Sequence, residues 1–353
     1  MNKRFVNFAS LVTCSLLVGN QLIAQDEISG ILKTGLSDIN KFGSLYLEPA
    51  GRGLSSGLGS NWYNTAAPHK LYGFDITAGA SVAFIPSSLK SFNIDNNTFT
   101  NLKPSSGHAE TAPTFSGSGD GVQMDVMANG SKVTTITTPS GVGDYGKYIP
   151  MANLQIGFGL PFRTELMVRL IPKQTFDDLS VKQFGIGIKH DFKQWIPVVK
   201  RLPFDASVVL AYSRFKVNYK FSDPLTPNDL GYTDPSDLSA YQNQNADMKV
   251  GAFTMNVVVS KKLMFFTPYL GFGFTQSKFT LGMKGTYPIL DNENTSSTFN
   301  PNYENPVTIT YKTFQPGATV GFRLKILWVL AFHAQYTLQK YPVASAGFGI
   351  NIR

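Results

Sequence analysis

The sequence predicts an all-β protein: an antiparallel transmembrane β-barrel of about 12 strands (roughly 10–14) with a short N-terminal helical plug or hatch. Three observations predict it. First, segments alternating between apolar and small or polar residues recur along the chain. Successive strand side chains point to opposite faces, so each segment has one face for hydrocarbon and one for a lumen. Second, hydrophobicity is dispersed, with 15% of residues charged, 13% aromatic and a mean hydropathy of -0.06. Soluble domains carry about 25% charged residues. Beyond the N-terminus no apolar run reaches the roughly 18 residues that suggest a helical span. Third, the polar connections roughly alternate between short and long, as the two rims of such a barrel require.

Residues 1–24 read as a secretory signal, with Lys3 and Arg4 ahead of an apolar stretch and Ala24 before the expected cut. The one cysteine, Cys14, lies in that stretch. Thr13 is a poor predecessor for a lipidated cysteine, so Cys14 reads as filler. The mature chain then has no thiol chemistry. Net charge is +8, and +6 once Lys3 and Arg4 leave. The basic residues are scattered, which argues against a nucleic-acid partner and for a mildly positive lumen or contact with anionic lipid headgroups.

Residues 25–68 are expected to form the plug or hatch, and residues 69–353 the barrel. A helix is predicted over residues 27–47, because Ile28, Ile31, Leu32, Gly35, Leu36, Ile39, Phe42 and Tyr46 recur at helical spacing. Pro49 and Gly51 are expected to end it, with a Gly/Ser loop over residues 51–60. The polar-aromatic cluster Trp62-Tyr63-Asn64 follows. This segment is expected either inside the lumen or in the periplasm.

The first strand, residues 72–84, sets Tyr72, Phe74, Ile76, Ala78, Ala80, Val82 and Phe84 on one face. Its aromatic ends match the girdles of a membrane barrel. Residues 86–149 are polar and weakly patterned, and 122–127 with 132–138 could be loop strands or an extra wall hairpin. Alternation returns at residues 152–159. On the next strand Phe162, Thr164, Leu166, Val168 and Leu170 point outward, and Arg163, Glu165 and Arg169 share the other face. Arg at mid-membrane costs about 2–4 kcal/mol, so these three are expected in the lumen, with Glu165 offsetting the two arginines. Further strands follow around residues 183–189, 204–213, 251–260, 270–283, 318–324, 330–338 and 343–352. The phase slips near Arg214, where a bulge or an exit from the membrane is expected.

No constellation carries catalysis. His69, His108, His190 and His333 share no ligand spacing, and no nucleophile elbow, zinc-protease or phosphate-loop motif occurs. The reading is a non-enzyme without cofactor or metal. His333 faces the lumen by parity and serves as a polar interior residue.

The block Tyr46-Leu47-Glu48-Pro49, the run Trp62-Tyr63-Asn64-Thr65-Ala66 and the sequence Pro68-His69-Lys70-Leu71-Tyr72-Gly73-Phe74-Asp75 resemble an uncharacterised family of Bacteroidetes-type outer-membrane barrels, DUF6588. The resemblance implies a barrel in the outer membrane of a Gram-negative cell and brings no established activity. In layout the chain is also similar to the long-chain fatty acid transporters, with Glu48-Pro49-Ala50-Gly51 where those carry an Asn-Pro-Ala-Gly-like hatch sequence.

Two functions follow as expectations. In the first, a plugged barrel in membrane lipid passes or binds a small hydrophobic molecule. Ile31, Leu36, Phe42, Tyr46, Trp62 and Tyr63 fill or gate its lumen, and Arg163, Glu165, Arg169 and His333 line it. In the second, the barrel is an anchor whose loops 86–149, 223–247 and 288–306 bind a partner.

Overall fold

The structure, a computed structural model, describes residues 36–95, 97–107, 111–128, 130–230, 238–290, 299–327 and 329–352. The expected signal segment, Cys14, Ile31, His108 and the first part of the expected helix lie outside the described residues. Among the described residues, one helix, α1 (Leu36–Gly59), precedes a closed barrel of ten antiparallel strands. These are β1 (Phe74–Phe84), β2 (Tyr148–Leu160), β3 (Thr164–Phe176), β4 (Leu179–His190), β5 (Asp205–Lys220), β6 (Asn245–Ser260), β7 (Phe266–Lys284), β8 (Thr308–Ile326), β9 (Leu330–Leu338) and β10 (Val343–Ile352). Each strand pairs with its chain neighbours, and β10 pairs back to β1 from Ile352 opposite Phe74 to Val343 opposite Ala83. Closure leaves no open edge in the wall.

The wall has ten strands rather than about 12. The weakly patterned hairpin is not part of it: Gln123–Ala128 and Ser131–Thr137 pair with Leu102–Pro104 in a separate three-stranded sheet. The reason is its surface. Met124 and Val126 bury one face, while Gln123, Asp125 and Lys132 supply the other, which suits water and not lipid. With a pair of short strands, Ser91–Asn93 and Thr111–Pro113, this sheet forms a crown over one rim.

Connections β2–β3, β4–β5, β6–β7 and β8–β9 share one rim, and the long inserts share the other. The turn at 340–342, although short, lies on the long-loop rim, as does the turn at Asp177 and Asp178.

On β4 to β8 the side-chain pattern inverts at one level. Phe184, Tyr212, Phe253, Phe274 and Phe314 point outward; beyond them the same faces carry Lys182, Arg214, Lys249, Lys278 and Lys312. Inward, the change runs the other way: Gln183, Ser213, Thr254, Thr275 and Gln315 give way to Val181, Phe215, Val250, Phe279 and Tyr311. The phase slip at Arg214 is this inversion. β5 pairs without a bulge on both sides, so the strand leaves the hydrocarbon rather than kinking. Outside the hydrocarbon, apolar residues are best buried inside the barrel and charges best placed outside it.

α1 occupies the lumen and extends past Pro49 and Gly51 to Gly59, beyond its expected end. A Gly/Ser-rich run is a poor helix former in water. Here the wall supplies the missing stability, since most helix stability in proteins comes from packing. The small residues let the helix lie against the strands. A Cβ at Gly53 would stand 2.7 Å from Ile85 Cδ1, and one at Gly51 3.1 Å from the Phe279 ring. The helix starts at the long-loop rim and descends toward the short-turn rim, where the chain turns into β1.

The plugged lumen as candidate functional site

The top of the lumen is a hydrophobic core. Ile39 and Phe42 of α1 join a buried cluster with Ile149, Phe215, Val250, Phe279 and Ile309. Phe42 packs edge-on against Phe92 of the crown at 5.7 Å, and Tyr46 against Phe115 at 6.1 Å. The Tyr46 hydroxyl donates to Ser140 O at 2.8 Å. The buried Asp38 carboxylate accepts the backbone N–H groups of Thr100, Asn101 and Leu102 at 2.9, 2.6 and 3.0 Å. Asn40 accepts from Thr308 N at 3.0 Å. The first turns of α1 therefore hold both the crown and the start of β8. Leu36 is the first described residue of α1.

Lower down the contacts become polar. Arg52 pairs with Glu48 at 2.7 Å and donates to Thr313 Oγ1 at 3.0 Å. Gln315 donates to Ser56 Oγ at 2.8 Å, and Thr254 to Gly59 O at 3.0 Å. Below α1, Asn61 has a φ of 62°, which turns the chain under the helix. Its side chain meets His333 Nε2 at 2.8 Å.

Trp62 and Tyr63 are buried in the lumen. The Arg169 guanidinium sits 3.8 Å above the Trp62 ring, and its Nε donates to Gln155 Oε1 at 2.9 Å. Trp62 lies against Gly185 and Gly187, where Cβ atoms would come within 3.0 Å of the indole. Tyr63 stacks edge-on with Tyr269 at 5.9 Å, over Gly271.

The plug is closed at its lower end by four buried ionisable groups. Glu165 accepts Lys189 Nζ at 2.9 Å and the backbone N–H of His69 at 2.9 Å. His69 Nε2 meets Asp75 Oδ1 at 3.0 Å, and Thr77 donates to Asp75 Oδ2 at 2.8 Å. His69, Asp75 and Glu165 offer donor atoms within 4.8 Å of one another. Both carboxylates already accept hydrogen bonds from protein groups, so the cluster's own groups balance one another as a latch between the segment 60–73 and the wall.

Arg163 is not lumenal. It lies in the β2–β3 turn with a φ of 52°, half exposed, and pairs with Asp191 at 2.7 Å and Asp205 at 3.4 Å. A residue in a turn has left the strand's parity. Glu165 and Arg169 do face inward, yet Glu165 pairs with Lys189 and not with an arginine. His69, Asp75, Gln155 and Lys189 were missed as site residues. The inward parity of Asp75 and Lys189, opposite Phe74 and Ile188, carried the signal. The cavities beside the plug measure about 20 and 10 Å³, room for about one water each.

Outside, the wall exposes an unbroken apolar band: Ile186 is 46% exposed, Phe272 59%, Val320 52% and Phe348 51%. Water-soluble monomers rarely expose contiguous apolar patches beyond a few hundred Å², whereas this one circles the wall. A closed antiparallel wall, an apolar exterior and a filled lumen define a membrane-spanning β-barrel of the outer-membrane type. The chain belongs to DUF6588, a family of unknown function whose model matches residues 1–352.

No curated protein matches the chain. Among solved structures it is similar to the transport unit of the autotransporter AIDA-I from Escherichia coli, at 8% identity, covering 88% of this chain and 99% of that one with a TM-score of 0.32. It is similar to the translocator domain of the autotransporter NalP from Neisseria meningitidis at 10% identity, covering 89% and 98%, with a TM-score of 0.29. Ail, the attachment invasion locus protein of Yersinia pestis, crystallised with the heparin analogue sucrose octasulfate, is 8% identical, covering 80% and 99%, with a TM-score of 0.27. At such scores none of these likenesses bears on what this chain does.

Proposed function

We propose that this protein is a closed outer-membrane barrel that presents an organised crown to partners at the cell surface. In this reading it sits in the outer membrane of a Gram-negative cell, of the Bacteroidetes type its sequence resemblance implies. It is exported by a signal cleaved after residue 24, and residues 25–68 plug the barrel formed by 69–353. The observation that carries the reading is that α1 is fastened along its whole length. Its first turns hold the crown through Asp38, and the segment after it is latched through His69 and Glu165. The crown is folded and presents exposed groups, among them Val133 at 65% exposure.

The rival reading, passage of a small hydrophobic molecule, draws on the hatch-like layout shared with long-chain fatty acid transporters. It asks α1 to leave a hydrophobic core and a polar network together, and it sends an apolar cargo past Arg169, Gln155 and His333. The crown reading accounts for the seated helix without such a step.

Its test compares cells displaying the full chain with cells displaying a chain whose residues 90–140 are replaced by a short Gly/Ser linker. Loss of adhesion or cell–cell aggregation, with insertion and impermeability unchanged, is expected. Unchanged adhesion with altered uptake of hydrophobic solutes supports passage instead.

A further inference from the structure

The outward faces of β4 to β8 carry Lys182, Arg214, Lys216, Lys249, Lys278 and Lys312 just beyond the aromatic ring of Phe184, Tyr212, Phe253, Phe274 and Phe314. Register sets these cations against one another. Lys216 stands directly across from Lys182 on β4 and from Lys249 on β6, and Lys278 stands across from Lys312. Like charges placed opposite on adjacent strands destabilise a sheet. Among the described outward residues of this band, Asp247 is the one carboxylate, and it pairs with Lys249. The other five cations of the belt form no ion pair among the described residues.

The belt is one-sided. At the same rim, β9, β10, β1 and β2 present Tyr336, Leu338, Ala344, Phe84 and Tyr148 outward, and the cations nearest them, Lys340 and the Asp144-paired Lys147, lie in the connections and not on the strand faces. Gly251, opposite Arg214 and Lys278, leaves a notch in the surface. A groove of about 470 Å³ opens there, lined by Tyr212, Gly251, Phe253, Lys278, Lys312 and Phe314. It is cationic on its loop side and aromatic on its membrane side.

We infer that this belt binds the phosphate groups of a phosphorylated glycolipid in the outer leaflet, whose acyl chains lie along the aromatic ring below. The chemistry is that of basic clusters at a membrane boundary, which recognise anionic headgroups. The long-loop rim is the outer one in barrels of this type, so the belt meets the outer leaflet. The inference rests on the outer-membrane reading above. The bound phosphates offset the facing lysines, and Asp247 leaves the groove itself cationic.

The test uses the full mature chain in phosphatidylcholine nanodiscs doped with diphosphoryl lipid A, with retained lipid read by native mass spectrometry. The variant Lys216→Gln/Lys278→Gln/Lys312→Gln removes the centre of the belt, and Lys261→Gln/Lys262→Gln at the opposite rim is the control. The wild type and the control are expected to retain lipid A alike. The triple variant should bind on the order of 100-fold more weakly, at about fivefold per lysine. Dephosphorylated lipid A should bind the wild type no better than the variant. Equal retention by wild type and triple variant, or indifference to the phosphates, overturns the inference. Displacement by equimolar inorganic pyrophosphate overturns it too, because the site then takes free phosphate. A wild-type chain that fails to insert overturns the membrane reading and this one together, whereas an inserted barrel without lipid preference overturns only the belt.

Discussion

The guanidinium of Arg169 lies 3.8 Å above the ring of Trp62, so a cation that hydrocarbon would reject is held on the plug's largest buried aromatic. Neither residue fits its place without the other. Trp62 fills the lumen beside β4, and the buried Arg169 is received by the indole face, Gln155 and the Leu58 carbonyl. Trp62→Ala is expected to destabilise the barrel by about 3–5 kcal/mol. Urea-unfolding midpoints in lipid vesicles measure this, and Trp62→Phe, which keeps a ring under the guanidinium, should recover a substantial part.

Glu165 accepts from both Lys189 and the His69 backbone, which ties the plug to the wall. Glu165→Gln leaves the Lys189 charge buried and unpaired, at an expected cost of about 3–5 kcal/mol. The double variant Glu165→Gln/Lys189→Met should be markedly more stable than Glu165→Gln alone. Additive losses in a double-mutant cycle would show that the two side chains do not interact.

A Cβ at Gly271 would stand 2.1 Å from the Tyr63 hydroxyl. Gly271→Val is therefore expected to unseat Tyr63 while the strand, which β-branched residues favour, still forms. The readout is chymotrypsin cleavage after Trp62 or Tyr63, both buried in the wild type, in the inserted protein. The variant should be cut there and the wild type should not.

Asp125 in the crown accepts from Lys132 Nζ at 2.8 Å, Ser105 at 2.6 Å and Thr135 at 2.8 Å. The Lys132 contact, with the two hydroxyls, lowers its pKa to about 2. The unfolded value is about 3.9. The carboxylate therefore contributes its full share of crown stability above about pH 4 and loses it progressively as pH falls toward 2. Protection factors of the Gln123–Ala128 amides, taken against the intrinsic exchange rate at each pH, should fall over that window. In Asp125→Asn the protection should already be lower at pH 7 and change less with acid.

Much of the wall was legible in the sequence, because the physics that selects strand faces is local. Hydrocarbon outside and a lumen inside impose a period of two, and Phe348, Ile350 and Ile352 carry it without any knowledge of their neighbours. Arg163 was misplaced because parity was carried one residue past the start of β3 into a turn. The length of α1 was underestimated for a different reason. Pro49 and the Gly/Ser run are helix breakers in water, and only the surrounding wall reverses that preference. The latch was hidden because it joins His69, Asp75, Glu165 and Lys189, spread over 121 positions of the chain, through barrel closure. Its parts had parity signals, but their meeting is a property of the register. The slip at Arg214 was visible as an anomaly. Its cause became clear only when four other strands inverted at the same level.

The central claim is that the chain's own helix closes the lumen of a membrane-spanning wall. Ion conductance across a planar bilayer tests it most directly, comparing the full mature chain with one lacking residues 26–60, both first shown to be folded by heat-modifiable gel mobility. The full chain should be silent, and the shortened chain should conduct in steady, single-sized steps. A full chain that already conducts, or a folded shortened chain as silent as its parent, would contradict it.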